Sequence, residues 1–385
     1  MRILQIHTQY RQRGGEETVV AAEHEMLTAA GHRVETWLAE NPDSTPAALR
    51  DFALAPWNPL QARRVRRRCR ADAPDVAHVH NTWFSASPSV IDAAARAGVP
   101  VAMTLHNYRL ACANGELLRD GRPCEVCVGR GPWSAVRYGC YRSSRPASVV
   151  AAATIAVGRR SGAWTDKVAR FGALTRFAAE RMVAAGLPPE KVTVLPHVTA
   201  DAGPRTEPPS RSDTVLSVGR LTRAKGVPAL VRAWRARPPD GLKLRIIGTG
   251  PAADEIAALD VPGVELAGWV DKDRVGAEML TARALVFPSH WYEGMPMTLL
   301  EAFSCGLPVL GSDLGSVAEI VGGLGERWLV PPGDERAWGT ALAGLCDDGL
   351  VDDGGRRARR RYEATHTPAA GVARLERLYR SITRG

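Results

Sequence analysis

Short apolar runs alternate with longer amphipathic stretches along the whole chain, and this rhythm predicts alternating strands and helices. In the first half, predicted strands fall at residues 2–7, 33–38, 75–80, 100–106, 173–175 and 192–195. In the second half they fall at 214–218, 243–247, 264–266, 284–288 and 308–311. Several runs are apolar at consecutive positions, which is typical of parallel strands covered on both faces. The pattern therefore predicts two doubly wound α/β domains.

The rhythm breaks at residues 199–213, TADAGPRTEPPSRSD, which hold proline, serine and charge but no apolar run. This composition is typical of a linker, so we place a first domain at 1–198 and a second at 214–365. The tail, 366–385, predicts an amphipathic helix, with apolar residues at Val372, Leu375, Leu378 and Ile382. A length of 385 residues also favours two domains over a single core.

Composition narrows the class of protein. Hydrophobic residues make up 45% of the chain and charged residues 24%, as in globular proteins. The longest apolar run, at 149–157, is too short to span a bilayer. The N-terminal stretch MRILQIH predicts a strand and lacks the pattern of a signal peptide. We therefore expect a cytoplasmic protein.

The net charge is +9, and arginine supplies most of it. Because the chain is rich in Ala, Arg, Gly and Pro throughout, we do not take this charge as a sign of nucleic-acid binding. The densest run is ARRVRRRCR at 62–70. It indicates either a solvated helix face or a surface that contacts an anionic membrane or a phosphate-bearing acceptor. The second interpretation would bring the protein to the inner face of the membrane.

Cations and glycines follow two predicted strands of the second half, where open α/β sheets bind ligands. SVGRLTRAKG places Gly219, Arg220 and Lys225 after one strand, and IIGTGP places Gly248 and Gly250 after the next. Two cations at the mouth of one strand suit a diphosphate. Two solvated loop charges are the alternative interpretation.

A glycine pair also precedes the first predicted helix. QRGGEETVV puts Gly14 and Gly15 there, and a helix N-terminus attracts anions. A plain loop-to-helix turn has the same pattern. No Gly-x-Gly-x-x-Gly fingerprint follows the first strand, so a conventional dinucleotide site is not predicted.

The stretch SHWYEGMPMTLLEAFSCGLPVL, residues 289–310, holds two carboxylates. Gly294 and Pro296 predict a helix that begins near Met297. Glu293 lies in the loop before this helix, and Glu301 lies inside it among apolar residues. A lone charge there is costly unless something binds it. We infer that each carboxylate binds a different part of one ligand.

Together, GRLTRAKG, IIGTGP, the block ALVFPSHWYEGMPMTLLEAFSCGLPVLGSDLGSVAEIV and the N-terminal glycine pair resemble the retaining glycosyltransferases of glycosyltransferase family four. The resemblance covers nearly the whole chain and implies the GT-B fold, in which two Rossmann-like domains face a central cleft. It also implies that the first domain binds the acceptor and the second binds a UDP- or GDP-sugar, with no metal in catalysis. The last helix would cross back onto the first domain.

The resemblance assigns roles to individual residues. Arg220 and Lys225 would hold the donor diphosphate and stabilise the leaving charge. Glu293 would bind sugar hydroxyls and Glu301 the ribose hydroxyls. The complete donor-binding set is Gly14, Gly15, Gly219, Gly248, Gly250, Gly294, Met295, Pro296, Met297 and Glu301.

Histidines mark the first domain. His106 ends the strand VPVAMTLHN and resembles the family histidine that contacts the donor sugar, which adds it to Arg220, Lys225 and Glu293 as a catalytic candidate. A capping or core histidine is the alternative. We expect His78 and His80 on opposite sides of their strand, with His78 in the core. His80 would line the acceptor site with Asn81, Trp83 and Asn107.

Four of the seven cysteines cluster in a predicted insertion at 107–145, namely Cys112, Cys124, Cys127 and Cys140. One Cys-x-x-Cys pair flanked by two further cysteines is able to form a tetrahedral structural zinc site. The expected cytoplasmic location argues against disulfides, and unlinked thiols are the other hypothesis.

The leading hypothesis is a retaining hexosyltransferase that moves a sugar from a nucleotide sugar to a glycan, lipid-linked or small-molecule acceptor. A glycoside hydrolase needs two carboxylates that flank one bond, which Glu293 and Glu301 fit poorly. Two alternatives stay open: a nucleotide-sugar epimerase on the same fold, and a basic, non-enzymatic protein that binds lipid or nucleic acid.

Overall fold

The computed structural model describes residues 1–10, 14–42 and 45–383. Part of the QRGG motif and the last two residues of the predicted C-terminal helix, 384–385, lie outside these ranges. The chain divides into two units. The first holds Met1–Leu117, Cys124–His197 and Pro368–Gly385, and the second holds Leu118–Pro123 and Val198–Thr367.

A six-stranded parallel sheet forms the centre of the first unit. The strands in this part of the chain are β1 (Arg2–Gln9), β2 (Arg33–Glu40), β3 (Val76–Asn81), β4 (Val101–Leu105), β5 (Leu118–Arg119), β6 (Arg122–Pro123), β7 (Val168–Ala173) and β8 (Val192–Val194). The sheet order is β2-β1-β3-β4-β7-β8, while β5 and β6 form an antiparallel pair. Every residue of β3 and β4 is buried, as expected for central strands of a parallel sheet that is covered on both faces.

The second unit repeats this architecture. Its strands are β9 (Thr214–Val218), β10 (Lys243–Ile247), β11 (Val264–Gly268), β12 (Ala284–Phe287), β13 (Val309–Ser312) and β14 (Leu329–Val330). They pair in parallel in the order β11-β10-β9-β12-β13-β14. Two doubly wound parallel sheets were predicted from the sequence, and the structure confirms both.

Helices connect the strands. They are α1 (Gly15–Ala29), α2 (Thr45–Ala53), α3 (Pro59–Asp72), α4 (Ser89–Arg96), α5 (Ser134–Tyr138), α6 (Arg145–Arg160), α7 (Arg176–Ala184), α8 (Val227–Ala236), α9 (Ala253–Ala257), α10 (Lys272–Thr281), α11 (Met297–Ser304), α12 (Gly315–Val321), α13 (Glu335–Gly344), α14 (Asp348–Arg361) and α15 (Pro368–Thr383).

The last helix, α15, belongs to the first unit. Its apolar stripe buries Leu375, Leu378 and Tyr379 in one cluster with Ile3 and Val76 of the sheet. Residues from the two ends of the chain thus share one core. A helical stretch at Tyr362–His366 precedes α15.

Candidate active site

Most of the predicted donor residues lie in three loops of the second unit, which follow β9, β10 and β12, or in α11 directly after the third loop. β9 lies between β10 and β12 in the sheet. Since all three strands run parallel, their carboxyl ends meet at one edge of the sheet, which is where ligands bind in such folds.

Lys225 and Glu293 form an ion pair at this edge. Lys225 Nζ donates to Glu293 Oε1 over 2.7 Å, and the two side chains are 24% and 7% exposed. The same oxygen accepts from Ser289 Oγ at 2.7 Å and from Trp291 Nε1 at 2.8 Å. Lys225 Nζ also lies 5.5 Å from the ring centre of Trp291. These contacts hold a cation and a carboxylate in fixed positions.

Gly226 explains why the two loops meet. It adopts φ +74°, and an added Cβ would lie 1.8 Å from the carbonyl oxygen of Pro288. Only glycine fits, because the backbone after β9 packs directly on the backbone after β12. His290 N also donates to Ala224 O at 2.8 Å. This packing sets Lys225 opposite Glu293.

The loops after β9 and β10 also hold Arg220 and the two glycines of IIGTGP. Arg220 is exposed. Gly248 packs against the backbone of Gly219, since an added Cβ would lie 1.9 Å from Gly219 O. Gly250 packs in the same way on Leu221. Close backbone packing therefore explains why both of these positions in IIGTGP hold glycine, and the sequence did not reveal this packing.

The helix α11 begins as predicted, with Pro296 at its N-cap and Met297 as its first residue. Met295, just before it, is buried. Glu301 lies in the second turn, half-buried, with its carboxylate 3.7 Å from Nζ of the exposed Lys272. Burial raises the pKa of Glu301, and Lys272 opposes that shift. The charge in the apolar helix thus has a partner within its own unit.

In the first unit, His106 follows β4 and is buried. Its Nε2 lies 3.0 Å from His80 Nδ1, and its Nδ1 lies 3.3 Å from His197 Nε2. Burial and then the neighbouring His197 hold the pKa of His106 well below its usual value. The imidazole is therefore neutral at physiological pH, and both of its nitrogens are engaged.

The prediction that His78 and His80 face opposite sides of β3 was wrong. Their ring centres are 4.2 Å apart, because residues two positions apart on a strand share a face. His78 is fully buried, as predicted. Both rings point towards Glu23 of α1, whose Oε2 lies 3.6 Å from His78 Nδ1 and 3.5 Å from His80 Nε2.

The predicted acceptor residues line one recess of the first unit. His80, Asn81, Trp83, His106 and Asn107 all contribute to its wall. Several of them also have structural partners: the Asn81 amide donates to Thr8 O and accepts from Trp83 N. The structure brings these residues together, and their contact with an acceptor stays a prediction.

Gly14 and Gly15 are exposed at the start of α1. Glu17 caps this helix by accepting from the Gly14 amide at 2.8 Å and the Tyr10 amide at 2.9 Å. Although burial opposes it, the hydrogen bonds from these two amides and the nearby His7, whose Nε2 lies 3.7 Å from Glu17 Oε1, lower the pKa of Glu17 to about 2. An anion at these amides would meet this carboxylate.

The neighbouring Glu16 has the opposite character. Burial raises its pKa to about 7, against a hydrogen bond from Asn107 Nδ2 at 2.7 Å. Its other oxygen, Oε2, is buried without a hydrogen-bond partner among the described residues. This carboxyl therefore lies beside Asn107, one of the predicted acceptor residues.

All four clustered cysteines belong to the first unit, and no disulfide joins them in the described part of the chain. Burial, followed by the neighbouring thiols of Cys112, Cys140 and Cys124, raises the pKa of Cys127 to about 11. Their sulfur atoms do not lie as close together as the ligand atoms of Glu23, His78 and His80, the one such group found in the described ranges.

Sequence reasoning missed Glu16 and Glu23. Glu23 lies on the face of α1 that buries Val19, Val20 and Leu27. A carboxylate at a core-facing helical position was a readable signal, of the same kind that singled out Glu301.

Within the described ranges, no helix is both long and apolar enough to cross a membrane.

Family models match both units. Residues 13–199 match Glycosyltransferase Family 4, and residues 212–348 match Glycosyl transferases group 1. With two parallel α/β units and a charged pair at a strand edge, the chain belongs to the group 1 glycosyltransferases of this family, and its fold is GT-B.

Curated relatives are similar over part of their length. The 2-deoxystreptamine N-acetyl-D-glucosaminyltransferase of Streptomyces fradiae is 28% identical over 303 residues, covering 72% of this chain and 63% of that protein. The D-rhamnosyltransferase WbpZ of Pseudomonas aeruginosa is 28% identical over 210 residues, covering 53% and 52%. The chain spans about half the length of the curated relatives that it matches.

Solved structures share the whole fold. HepE of Anabaena in complex with UDP superposes with a TM-score of 0.68 at 15% identity, covering 99% of this chain and 100% of that one. WaaG, a glycosyltransferase involved in lipopolysaccharide biosynthesis, gives 0.64 at 16% identity and full coverage of both chains.

Proposed function

We propose that this glycosyltransferase moves a sugar from a nucleoside diphosphate sugar to an acceptor hydroxyl, with retention of anomeric configuration. The observation that carries the proposal is the Lys225–Glu293 pair at the edge of the second sheet, with Arg220 exposed in the loop after β9. The binding of UDP by HepE, a protein of the same fold, supports a nucleotide donor.

In this proposal the cationic side chains bind the diphosphate and the carboxylates bind hydroxyl groups of the donor. Arg220 and Lys225 hold the diphosphate and stabilise its charge as it leaves, which supplies the positive charge that a catalytic metal supplies elsewhere. Glu293, fixed by Ser289 and Trp291, accepts from sugar hydroxyls. Glu301 accepts from the ribose, in exchange for its contact with Lys272.

The proton of the attacking hydroxyl passes to the departing phosphate oxygen on the same face of the sugar. His106 is a weaker candidate for this step, because both of its ring nitrogens are engaged with His80 and His197. We assign it a contact with the donor sugar as a neutral imidazole.

A panel of nucleotide sugars tests this proposal, first by thermal shift and then by turnover with and without acceptors. Glu293→Gln and Arg220→Ala are each expected to lower kcat/KM at least tenfold while the protein stays folded. Arg223→Ala is the matched control, since Arg223 lies in the same loop but pairs with Glu255 at the surface. Turnover that survives EDTA supports independence from a metal.

Three results would contradict the proposal or one part of it. Unchanged turnover in both site variants would remove the site assignment. Conversion of the donor to its epimer without any acceptor would favour the epimerase alternative. Inversion of the anomeric centre in the product would refute the retaining mechanism alone.

The four clustered cysteines support a second, structural proposal: a zinc ion held by Cys112, Cys124, Cys127 and Cys140. Four thiolates leave no open position, so this ion would order the insertion and take no part in the chemistry. Zinc analysis with X-ray absorption is expected to show an all-sulfur site. A metal-free, fully folded protein rejects it and leaves the unlinked thiols.

A further inference from the structure

We propose that Glu23, His78 and His80 bind a divalent transition-metal cation inside the first unit. One oxygen of Glu23 and one nitrogen of each histidine lie within 4.8 Å of one another, and all three residues are buried. They come from α1 and β3, so the packing of one helix on one strand assembles the site. No role in the proposed sugar transfer uses Glu23 or His78.

The separations match metal coordination better than hydrogen bonding. Glu23 Oε2 lies 3.6 Å from His78 Nδ1 and 3.5 Å from His80 Nε2, which is too long for good hydrogen bonds. In a tetrahedron with metal–ligand bonds of about 2.0–2.2 Å, ligand atoms lie about 3.3–3.6 Å apart. The two separations from Glu23 Oε2 therefore already match edges of a tetrahedral face, and the third pair of ligand atoms lies within 4.8 Å.

Two of the three candidate ligand atoms make no hydrogen bond in the described part of the chain. Glu23 Oε2 and His80 Nε2 are buried without a hydrogen-bond partner in the described part of the chain. Buried polar atoms are rarely left so. The third atom, His78 Nδ1, lies 2.8 Å from the hydroxyl of Tyr379. A cation at His78 would replace that hydrogen bond and leave the Tyr379 hydroxyl beside the ion as a candidate fourth ligand.

The opposite nitrogen of each histidine is held, as is usual for metal-binding histidines. His78 Nε2 lies 2.8 Å from Thr104 Oγ1, and His80 Nδ1 lies 3.0 Å from His106 Nε2. These bonds orient both rings so that the remaining nitrogens face Glu23. Among divalent ions, two imidazoles and one carboxylate suit zinc, whereas magnesium and calcium prefer oxygen ligands alone.

The ion would also set the protonation of the next histidine. A metal on His80 Nε2 forces the proton onto Nδ1, which then donates to His106 Nε2. His106 must in turn carry its proton on Nδ1 and donate to His197. The proton arrangement follows from the metal alone. Its effect on the donor sugar rests on the proposed function, in which His106 contacts that sugar. The buried ion is a positioning device, because it lies behind His106 and not at a reacting atom.

The test is metal analysis of the full chain after incubation with zinc and removal of the excess. Glu23→Gln and His80→Gln are expected to lose one equivalent of zinc. His24→Gln is the matched control, because His24 is next to Glu23 in sequence but pairs with Thr36. Circular dichroism checks that each variant folds. Zinc content unchanged by both site variants overturns the proposal.

X-ray absorption at the zinc edge of the unmodified protein gives a second answer that needs no variant. A population of zinc with nitrogen and oxygen ligands and imidazole scattering supports the site. Sulfur ligands alone, or no bound zinc, overturn it. Because sulfur ligands report the cysteine site and sugar transfer is measured separately, failure here is distinguishable from failure of either other proposal.

Discussion

Glu16 and Glu17 are neighbours in the first turn of α1, yet their surroundings shift their pKa values in opposite directions. Glu17 meets two amides and His7, and its pKa lies at about 2. The Glu16 carboxyl is buried with one hydrogen bond, donated by Asn107, and its pKa lies at about 7. The number of hydrogen-bond donors around each carboxylate therefore determines its pKa, although the two residues are adjacent in the sequence.

Glu17→Gln tests this at the residue scale. Because the folded pKa of Glu17 lies below its unfolded value, its contribution to stability is present above about pH 4.5 and is lost as pH falls through 2. Because solvent screens this partly buried carboxylate, the variant should be less stable by about 1–2 kcal/mol at neutral pH, and the difference should vanish towards pH 2. Urea unfolding at several pH values measures it.

Glu16→Gln is the control of opposite sign. Its folded pKa is raised, so ionisation of Glu16 destabilises the wild type as pH rises from about 4.5 through 7. The variant should gain stability relative to the wild type over that range. The same pH trend in both variants would contradict the assigned surroundings.

At the scale of elements, the loops after β9 and β12 behave as one unit because Gly226 lets their backbones touch. Strand ends alone would place Lys225 and Glu293 near each other. The backbone packing is what brings their charged atoms to 2.7 Å.

Gly226→Ala should therefore destabilise the second unit by more than about 2 kcal/mol, since it adds both a positive-φ penalty and a backbone clash. Gly276→Ala is the matched control. Gly276 lies within α10 with nothing near an added Cβ, so alanine should stabilise by about 0.5–1 kcal/mol. Thermal unfolding compares the two. Equal effects would show that the loops do not pack as described.

Some elements were predictable and others were not. Short runs rich in valine and other apolar residues identified β3, β9 and β12 within a residue or two. The strand expected at 173–175 is instead β7, Val168–Ala173, because Arg170 interrupts its apolar run while Val168 and Phe171 are buried. β14 has two residues, too few for a periodic signal.

At the scale of the whole molecule, the arginine run forms one charged surface. Val65 and Cys69 of α3 are buried, and every arginine of the run is exposed: Arg63, Arg64, Arg66, Arg67, Arg68 and Arg70. Arg68 pairs with Glu35 and Asp72. We propose that this surface contacts an anionic membrane that carries the acceptor, with the solvated face as the alternative.

Arg66→Glu with Arg67→Glu should weaken binding to vesicles containing anionic lipid by at least about tenfold, since each basic residue contributes roughly 1 kcal/mol near such a surface. Arg336→Glu with Arg360→Glu changes the net charge equally on the exposed surface of the second unit and should have little effect. Flotation at two salt concentrations measures both. Equal losses of vesicle binding in the two double variants would show that net charge, and not this particular surface, determines the binding.

The two parallel sheets, the family and the motifs at the strand ends could all be inferred from the amino-acid sequence, because apolar periodicity and glycine or proline positions are local signals. Which side chains meet became known from the folded chain alone. The pairing of Lys225 with Glu293 spans 68 positions, and Tyr379 reaches His78 over 301. Such contacts depend on how helices pack on sheets, and the local pattern of residues does not encode those distances. For the same reason Glu23, an ordinary helical residue in the sequence, lies in the structure between two histidines.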